Sequence, residues 1–400
     1  MPSRRRRNPL RIAIISDLHS HLASKSPDAS YLKVGALRVP ANQHPAASLI
    51  ERIRKTSLRA DLLLVPGDLA DQSNQEGMSH AWEIALEVGR ELGVVETIPV
   101  LGNHDIDSRR RSGADPTHIP KNLRDGFPFR DHALCTSFFS DGCCILTPNR
   151  HVDVIAVNSV IDHHDSSTAR KGTFDQKRID RLKSLLESSR AANIRIALLH
   201  HHPTLHSSIF GSDDEVLPSG DALLELLRRH GCGLVIHGHK HHPRITDVDT
   251  PAGRLPVFCA GSFSAILRDL GSVTRNVFHL VTCEESGPLR LLAAQVATWE
   301  FRIGTGWVPA TEDSADISPL AGLGSTVPIE TIRDSIVRNT PPRRAFYMAS
   351  GELSSAVPEL RFLTPSEFRS LRDQLLTESR LVLVLDPSGL PAIGRDHARS

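Results

Sequence analysis

Short apolar runs that alternate with amphipathic segments constrain the fold of this chain more than any other sequence feature. Arg11–Ser16, Asp61–Val65 and Thr97–Leu101 are short and rich in Ile, Leu and Val, which is typical of strands buried on both faces. Between them, Ala46–Leu58 and Met78–Leu92 predict helices, the second with its apolar side chains near one face. This order of strands and helices predicts an α/β domain built around a sheet.

The rest of the chain first continues this pattern and then changes it. Further strands are predicted at 151–160, 194–199, 233–236, 255–259, 276–283 and 289–299, with helices at 176–189 and 221–229. Because the last of these strands follow one another without helices, the second half of the domain is expected to be more antiparallel than the first. Residues 20–45 and 105–150 lack a clear period and are predicted to be irregular.

A change of composition after residue 308 predicts a domain boundary. Residues 309–327 are rich in Ala, Ser, Pro, Gly and Asp and predict a linker. Beyond it, residues 328–400 predict a small C-terminal α/β region of unknown role, with helices at 328–338 and 365–378 and a strand at 381–385. The expected organisation is a basic disordered tail at 1–9, a main domain at 10–308, the linker and this C-terminal region.

Residues of the kind that bind metals recur at the ends of the predicted strands. In chain order they are Asp17 with His19, Asp68, Asn103 with His104 and Asp105, His200 to His202, and His239 with His241. Each group alone is typical of a turn or a cap, but five groups in order at five strand ends favour one shared site. Sites in open α/β sheets form beyond the carboxyl ends of the strands, so we expect these groups to converge.

The donor types indicate which metals such a site would take. Carboxylates, an amide oxygen and imidazoles together suit Mn, Fe or Zn, and no thiolate belongs to the set. An extended backbone at His239-Lys240-His241 would turn both imidazoles to the same side. Other histidines lie nearby: His237 is expected to be buried and hydrogen-bonded, His21 to be solvated on a loop, and His163, His164 and His242 to be at the surface.

Composition excludes several classes of function. The net charge of +1 provides no strong field for nucleic acid or an anionic membrane, and 4% aromatic residues argue against a stacking platform for single strands. The six cysteines form no CxxC pair, which favours buried reduced thiols and a cytoplasmic protein. No apolar run approaches the ~18–20 residues that a membrane crossing requires.

The order of the motifs resembles that of the calcineurin-like metallophosphoesterase family. The matching motifs are Asp17-Leu18-His19, Gly67-Asp68, Gly102-Asn103-His104-Asp105, a histidine among His200 to His202, and Gly238-His239-Lys240-His241. The resemblance covers about residues 10–300 and implies a four-layer α-β-β-α sandwich of two mixed sheets flanked by helices. It looks most similar to the branch that includes bacterial cyclic-nucleotide phosphodiesterases.

The resemblance also implies a role for each position. The metal ligands would be Asp17, His19 and His241 for the first ion, Asn103, His239 and His201 for the second, and Asp68 as the bridge. His201 is chosen because the family ligand stands two residues before a proline, here Pro203, and His200 is the alternative. His104 would protonate or stabilise the leaving oxygen, and Asp105 would orient His104.

Two adjacent divalent metals can bind phosphoryl oxygens and lower the pKa of a water between them, whose hydroxide attacks phosphorus in line. The expected function is therefore a dinuclear phosphodiesterase with a nucleotide-type substrate. A nuclease is an alternative, favoured by the arginine runs Arg4–Arg7 and Arg109–Arg111 and disfavoured by the low net charge. A catalytically silent binding scaffold is a second alternative, although every ligand position is filled. The C-terminal region could bind a protein partner.

Overall fold

The structure is a computed structural model that describes residues 9–24, 29–36, 38–110, 113, 115–123, 126–163, 165, 168–206, 215–267, 274–286, 291–310, 317, 320–341, 346–386 and 390–395. The basic tail, apart from residue 9, lies outside the described residues, as do Arg111 and His164.

Strands and helices alternate through the first part of the described chain, as predicted, and strands dominate from residue 234 to residue 323. In chain order the strands are β1 (Leu10–Ile14), β2 (His21–Leu22), β3 (Lys33–Val34), β4 (Leu62–Val65), β5 (Glu96–Pro99), β6 (Cys143–Asn149), β7 (Val152–Val157), β8 (Ile194–Leu198), β9 (Leu234–His237), β10 (Arg244–Thr250), β11 (Gly253–Cys259), β12 (Val277–Ser286), β13 (Leu291–Arg302), β14 (Gly306–Pro309), β15 (Leu320–Leu323), β16 (Tyr347–Met348), β17 (Leu381–Leu385) and β18 (Pro391–Arg395). The helices are α1 (Pro45–Thr56), α2 (Gln75–Leu92), α3 (His118–Lys121), α4 (His132–Ser140), α5 (Thr168–Lys171), α6 (Gln176–Ser188), α7 (Gly220–Arg229), α8 (Ile329–Asn339), α9 (Ser350–Ala356) and α10 (Pro365–Ser379).

Two mixed sheets form the main part of the fold, which confirms the predicted α/β class. In the first sheet the strand order is β14-β13-β12-β1-β4-β5, with β15 also paired to β13. Strands β1, β4 and β5 run parallel, whereas β12 runs antiparallel to β1. In the second sheet the order is β10-β11-β9-β8-β7-β6. Here the inner strands are parallel and the edge strands β10 and β6 are antiparallel to their neighbours.

The core lies on both sides of the second sheet. Successive side chains of a strand point to opposite faces, and β7 shows the consequence. Val154 belongs to a core that includes Ile12 and Leu63 of the first sheet. The next residue, Ile155, belongs to a separate core that contains Leu182 of helix α6. The two sheets therefore share one hydrophobic core, and helices cover the other face of the second sheet.

The structure corrects the prediction that residues 105–150 are irregular. Within that stretch lie α4 and β6 in addition to the short helix α3. Helix α4 begins after Asp131, whose carboxylate accepts hydrogen bonds from the amides of Ala133 and Leu134, and such a cap is a recognisable sequence signal. The signal was missed because α4 has apolar residues without a strong amphipathic period. Strand β6 contains Pro148 and a register shift, both of which weaken the pattern of a strand.

The C-terminal region has its own small sheet, in the order β16-β18-β17, and its own apolar core. The helices predicted there are confirmed as α8 and α10, and β17 has the predicted bounds, whereas α9 and β18 were missed. Strand β15 falls within the predicted linker and pairs with β13 of the first sheet. The domain boundaries themselves stay a prediction. Of the helices that the structure describes, none combines the length and the apolar character that a membrane crossing requires.

Candidate metal centre

The predicted ligands meet beyond the ends of β1, β4 and β5 in the first sheet and of β8 and β9 in the second. They fall into two adjoining groups, in each of which the potential ligand atoms lie within 4.8 Å of one another. The first group, called here the M1 group, consists of Asp17, His19, Asp68 and His241. The second, called the M2 group, consists of His200, His201 and His239, with Asn103 in hydrogen-bond contact. Residues far apart in sequence are thus brought together as the strand-end pattern predicts.

The backbone at these positions adopts a conformation that side chains disfavour. Asp17, His19, Asp68, His239 and His241 all have positive φ, between 48° and 74°. Such residues cost on the order of 1–3 kcal/mol each and persist only where the surroundings hold them. One stabilising contact is the hydrogen bond from the amide of His239 to Oδ1 of Asp17, over 3.1 Å. The backbone at His239 and His241 is therefore not extended, although both rings do reach the site.

Close approach of the backbone explains two of the motif glycines. A Cβ atom on Gly102 would lie 2.2 Å from Oδ1 of Asp68, and one on Gly238 would lie 2.6 Å from Oδ2 of Asp17. Contacts under about 3 Å are not tolerated between such atoms, so a larger residue at either position would displace a carboxylate of the site.

The M1 group has a centre that suits a cation. Nε2 of His19 and Nε2 of His241 face each other at 3.0 Å. The same two nitrogens lie 3.5 Å from Oδ2 of Asp68 and 3.3 Å from Oδ1 of Asp17, respectively. Burial opposes ionisation of Asp17, but His241 and His200 outweigh it, so the pKa of this carboxyl is lowered and it is ionised. Two imidazoles and two carboxylates directed at one point are a fitting donor set for a divalent metal.

The M2 group is organised around His200. Its Nδ1 donates to the carbonyl oxygen of Pro66 over 2.8 Å, because a carbonyl can only accept. Its Nε2 therefore faces inward, 3.1 Å from Oδ1 of Asn103 and 3.4 Å from Oδ2 of Asp68. Burial lowers the pKa of His200, but Asp68 outweighs it and raises that pKa to about 9. The protein thus favours positive charge at this point, which is also what a metal supplies.

His201 is held differently from His200. Its Nδ1 lies 2.9 Å from the hydroxyl of Ser159, whose Oγ also accepts from the His201 amide. Its Nε2 is buried without a hydrogen-bond partner among the described residues. The ring belongs to the M2 group by distance, but the recorded contacts with Asn103 and Asp68 are made by His200. Which of the two binds metal stays a prediction, with the geometry on the side of His200.

The expected contact between Asp105 and His104 is wrong. The carboxylate of Asp105 accepts hydrogen bonds from the amides of Ala70 and Gly102, each over 2.8 Å, and so ties two ligand loops together. The carboxylate beside His104 is instead that of Asp71, with Oδ1 3.0 Å from Nδ1 of the ring. Burial, reinforced by Asp68, raises the pKa of Asp105 to about 7.

Asp71 links the M1 group to His104. Its Oδ1 also lies 3.8 Å from Nδ1 of His19, the nitrogen on the outer side of that ligand. Burial raises the pKa of Asp71, but hydrogen bonds with His104 and His19 outweigh this and hold it well below its usual range. Nothing in the motif pattern singles out Asp71, which stands three residues after Asp68 on the turn towards α2.

His104 differs from the ligands in its exposure. Its side chain is 33% exposed, whereas those of His19 and His200 are 6% and 0% exposed, so His104 can reach a bound substrate. Burial lowers its pKa, but Asp68 and Asp71 outweigh burial and raise it. Its amide donates to Oδ1 of Asp68 over 2.8 Å, which fixes the ring beside the site.

Glu215 is a second residue that the sequence did not single out. Its Oε2 lies 3.6 Å from Nε2 of His239 and 2.7 Å from Nζ of Lys240. Because Nδ1 of His239 faces Asn103 at 3.1 Å, the carboxylate stands on the outer side of the ring. A metal-binding histidine commonly has a carboxylate at its other nitrogen, which fixes the tautomer and the ring orientation.

The remaining histidines divide into confirmed and corrected predictions. His237 is buried, with Nδ1 donating to the carbonyl of Gly238 over 3.0 Å, as expected. His21, His163 and His242 are buried rather than solvated or at the surface. Arg109 and Arg110, which belong to the second arginine run, have exposed side chains.

A family profile described as Calcineurin-like phosphoesterase matches residues 10–243, more than half of the chain. The chain belongs to this family. The match includes every candidate ligand from Asp17 to His241, so the protein is a member of the metal-dependent phosphoesterases, a superfamily of hydrolases that typically bind two metals. The narrower resemblance to the cyclic-nucleotide phosphodiesterase branch is not tested by this match. A search of curated protein sequences found no match.

Several solved structures match this chain at low sequence identity. The purple acid phosphatase PPD1 from yellow lupin (Lupinus luteus) seeds is 14% identical, with a TM-score of 0.49 over 74% of this chain and 52% of that one. PhoD is 10% identical, with a TM-score of 0.45 over 81% and 73%. Phosphopantetheinyl hydrolase (PptH) from Mycobacterium tuberculosis is 15% identical, with a TM-score of 0.34 over 64% and 90%. The chain thus spans about half the length of the lupin phosphatase.

Proposed function

We propose that the protein is a dinuclear metal-dependent phosphodiesterase that hydrolyses a small nucleotide-type substrate. The observation that carries this proposal is that the M1 group and the M2 group adjoin at Asp68, which belongs to the first and also contacts His200 of the second. The partly exposed His104 lies beside them. Asp17, His19 and His241 would hold the first metal, and Asn103, His239 and His200 the second. His200 replaces His201 in this assignment because its Nε2 faces Asn103 and Asp68.

Each residue at the centre has a distinct task. Asp68, whose Oδ2 lies 3.5 Å from Nε2 of His19 and 3.4 Å from Nε2 of His200, would be a ligand shared by both metals. When bound, the metals would hold the phosphoryl oxygens and activate the attacking water. His104, kept protonated at Nδ1 by Asp71, would donate its other N–H to the leaving oxygen. Asp105, which joins the loops of Gly102 and Ala70, would keep the ligands in register.

The charge around the site favours a diester over a monoester. Beyond Asp17 and Asp68, the carboxylates of Asp71 and Glu215 also border the metal positions, and Glu215 neutralises Lys240. A phosphodiester carries a single negative charge, whereas a monoester approaches two near neutral pH. Because Glu215 neutralises Lys240 and Asp71 is paired with His104, neither cation is left to bind the second negative charge of a monoester, which supports a diester as the substrate.

Further features of the proposal rest on the sequence and on packing. The metals would be Mn, Fe or Zn, which accept the mixed oxygen and nitrogen donors. A cytoplasmic location is supported by six free thiols, most of them buried. The four-layer arrangement is supported by the core that the two sheets share. Partner binding by the C-terminal region is supported by exposed apolar side chains such as Tyr347, which is 65% exposed.

The test compares two chromogenic substrates on the full-length protein loaded with manganese. We expect bis-p-nitrophenyl phosphate to be cleaved in preference to p-nitrophenyl phosphate, with both activities lost in Asp68→Asn. Preference for the monoester would make the protein a phosphatase with the same site. Metal binding without cleavage of either substrate would favour the silent scaffold.

A second comparison separates the nucleotide enzyme from a nuclease. Cyclic nucleotides and short single-stranded oligonucleotides are offered at several salt concentrations. Cleavage of the small substrate with little salt dependence supports the proposal. Preferred cleavage of the oligonucleotide, falling steeply with salt, would support a nuclease that uses Arg109 and Arg110 for the phosphate backbone.

A further inference from the structure

A second group of metal-binding side chains lies next to the candidate centre, outside the family motifs. It consists of His206, His237 and Cys259, whose potential ligand atoms lie within 4.8 Å of one another. The three side chains come from the segment after β8, the end of β9 and the end of β11. All are buried, with exposed fractions of 4%, 2% and 1%. This group is called here the thiol–histidine cluster.

The sheet itself brings two of these residues together. Cys259 and His237 are direct partners in the parallel pairing of β11 with β9. Paired residues on neighbouring strands point to the same face of a sheet, so the thiol and the imidazole leave it side by side. His206 reaches them from the segment that follows His200 to His202.

The two imidazoles are in the chemical form that binds metals. The carbonyl of Gly238 accepts the hydrogen bond from Nδ1 of His237 over 3.0 Å, which leaves Nε2 of that ring with its lone pair. Burial and the neighbouring imidazoles lower the pKa of His206 to about 2, so that ring is neutral at physiological pH, as metal ligation requires.

Two more imidazoles surround the cluster. The ring of His242 lies 5.8 Å from that of His206, and the ring of His202 lies 6.2 Å from that of His237, measured between centroids. Both rings border the cluster, although the described residues whose potential ligand atoms lie within 4.8 Å of one another include neither of them. The donors of the cluster are two imidazole nitrogens and one sulfur, without a carboxylate. Sulfur with imidazole is a characteristic combination for structural zinc.

We propose that His206, His237 and Cys259 bind a zinc ion separate from the two metals of the phosphoesterase site. Burial raises the pKa of the Cys259 thiol to about 12, so the thiol is protonated without metal. Binding therefore forms a zinc–sulfur bond and releases the thiol proton to solvent. The ion would join the segments that carry His200 and His239 and so hold the ligands of the second metal in place.

Cobalt distinguishes this site from the dinuclear centre. Cobalt bound to a thiolate shows a sulfur-to-metal charge-transfer band in the near ultraviolet, and oxygen and imidazole ligands do not give it. The full-length protein is stripped of metal by a chelator under reducing conditions and titrated with Co²⁺. We expect the band to appear and to saturate at one cobalt per chain for this site. Cys259→Ala should abolish it, while Cys283→Ala, which removes another buried thiol, should retain it.

Four outcomes would overturn the proposal, with circular dichroism as the check that each variant is folded. Absence of the band in the wild-type protein, or its persistence in Cys259→Ala, overturns the assignment. His206→Gln gives an independent variant in another segment, and an unchanged band there also counts against it. After reconstitution with zinc, the wild type should hold one zinc more than Cys259→Ala, and equal contents contradict the proposal. Asp68→Asn should keep the band, so failure of the phosphoesterase proposal remains distinguishable.

Discussion

The candidate metal centre and the thiol–histidine cluster use neighbouring residues of one short stretch of chain. His237 ends β9 with a strand backbone, and its side chain lies beside Cys259. His239 and His241, after Gly238, have positive φ and turn towards Asn103 and Asp17. A change of backbone conformation within residues 237–241 therefore directs His237 to one cluster and His239 and His241 to the other.

The two clusters differ in the donors that accompany their histidines and in their exposure to solvent. In the metal centre Asp17 and Asp68 supply charge, and His104 is 33% exposed to a substrate. In the thiol–histidine cluster sulfur takes the place of carboxylate, and its members are at most 4% exposed. Hard oxygen donors with an open side suit catalysis on a phosphate, whereas a closed set with sulfur suits a structural ion.

The largest effect is expected from removing the carboxylate of Asp68, which should abolish the metal centre and leave the thiol–histidine cluster unchanged. Asp68 contacts ligands of both metal groups, so Asp68→Asn should release both ions of the dinuclear centre. We expect phosphodiesterase activity to fall by at least about 10³-fold, more than for loss of one hydrogen-bond donor from an active site. Metal analysis and bis-p-nitrophenyl phosphate hydrolysis measure both effects. Retention of both ions with wild-type activity would show that Asp68 is not the bridge.

His104→Ala tests the exposed side of the same centre. Since His104 contacts Asp71 and is not itself one of the inward-facing ligands, metal content should stay unchanged. Turnover should fall by about 10²- to 10⁴-fold, the usual contribution of a general acid. His132→Ala, an exposed histidine on α4, is the matched control and should behave as the wild type. A loss of metal in His104→Ala would instead make His104 a ligand.

The sequence was sufficient to predict the local structure around the strand ends. Strand ends can be predicted from short apolar runs, and sites form beyond the carboxyl ends of strands, so Asp17, Asp68 and His239 could be grouped without coordinates although they follow strands of two different sheets. The sheets were less predictable, because β6 and β10 are edge strands with polar or proline-containing sequences. Helix α4 was missed since its cap was present but its amphipathic period was not.

Contacts between distant segments could not be predicted. Asp71 and His104 lie 33 residues apart and meet because two turns fold against each other, whereas Asp105, adjacent to His104, turns away to the backbone of another loop. Among three consecutive histidines, spacing before Pro203 favoured His201. The ring that faces Asn103 is set by a hydrogen bond from His200 to Pro66, which spacing does not reveal.

Separate substitutions of His200 and His201 determine which of the two histidines binds the second metal. His200→Ala should lose the second metal, because Nε2 of His200 is the nitrogen directed at Asn103 and Asp68. His201→Ala should retain that metal, since its ring is held by Ser159. Manganese titration of the two variants under identical conditions measures the difference. The reverse order of affinities would restore the assignment made from the proline spacing.

The smallest expected effect concerns Glu215, which stands behind a ligand of the metal centre. Its carboxylate lies 3.6 Å from Nε2 of His239, beyond hydrogen-bond distance, and its negative charge favours a proton on that nitrogen, which leaves Nδ1 for the metal. Glu215→Gln removes the charge and keeps the shape, and should weaken binding of the second metal by about 10- to 100-fold, as is usual for such outer partners. At saturating manganese most of the activity should return, because the ligand itself is intact. Glu225→Gln on α7 is the control, and equal manganese affinity in the two variants would show that Glu215 does not position His239.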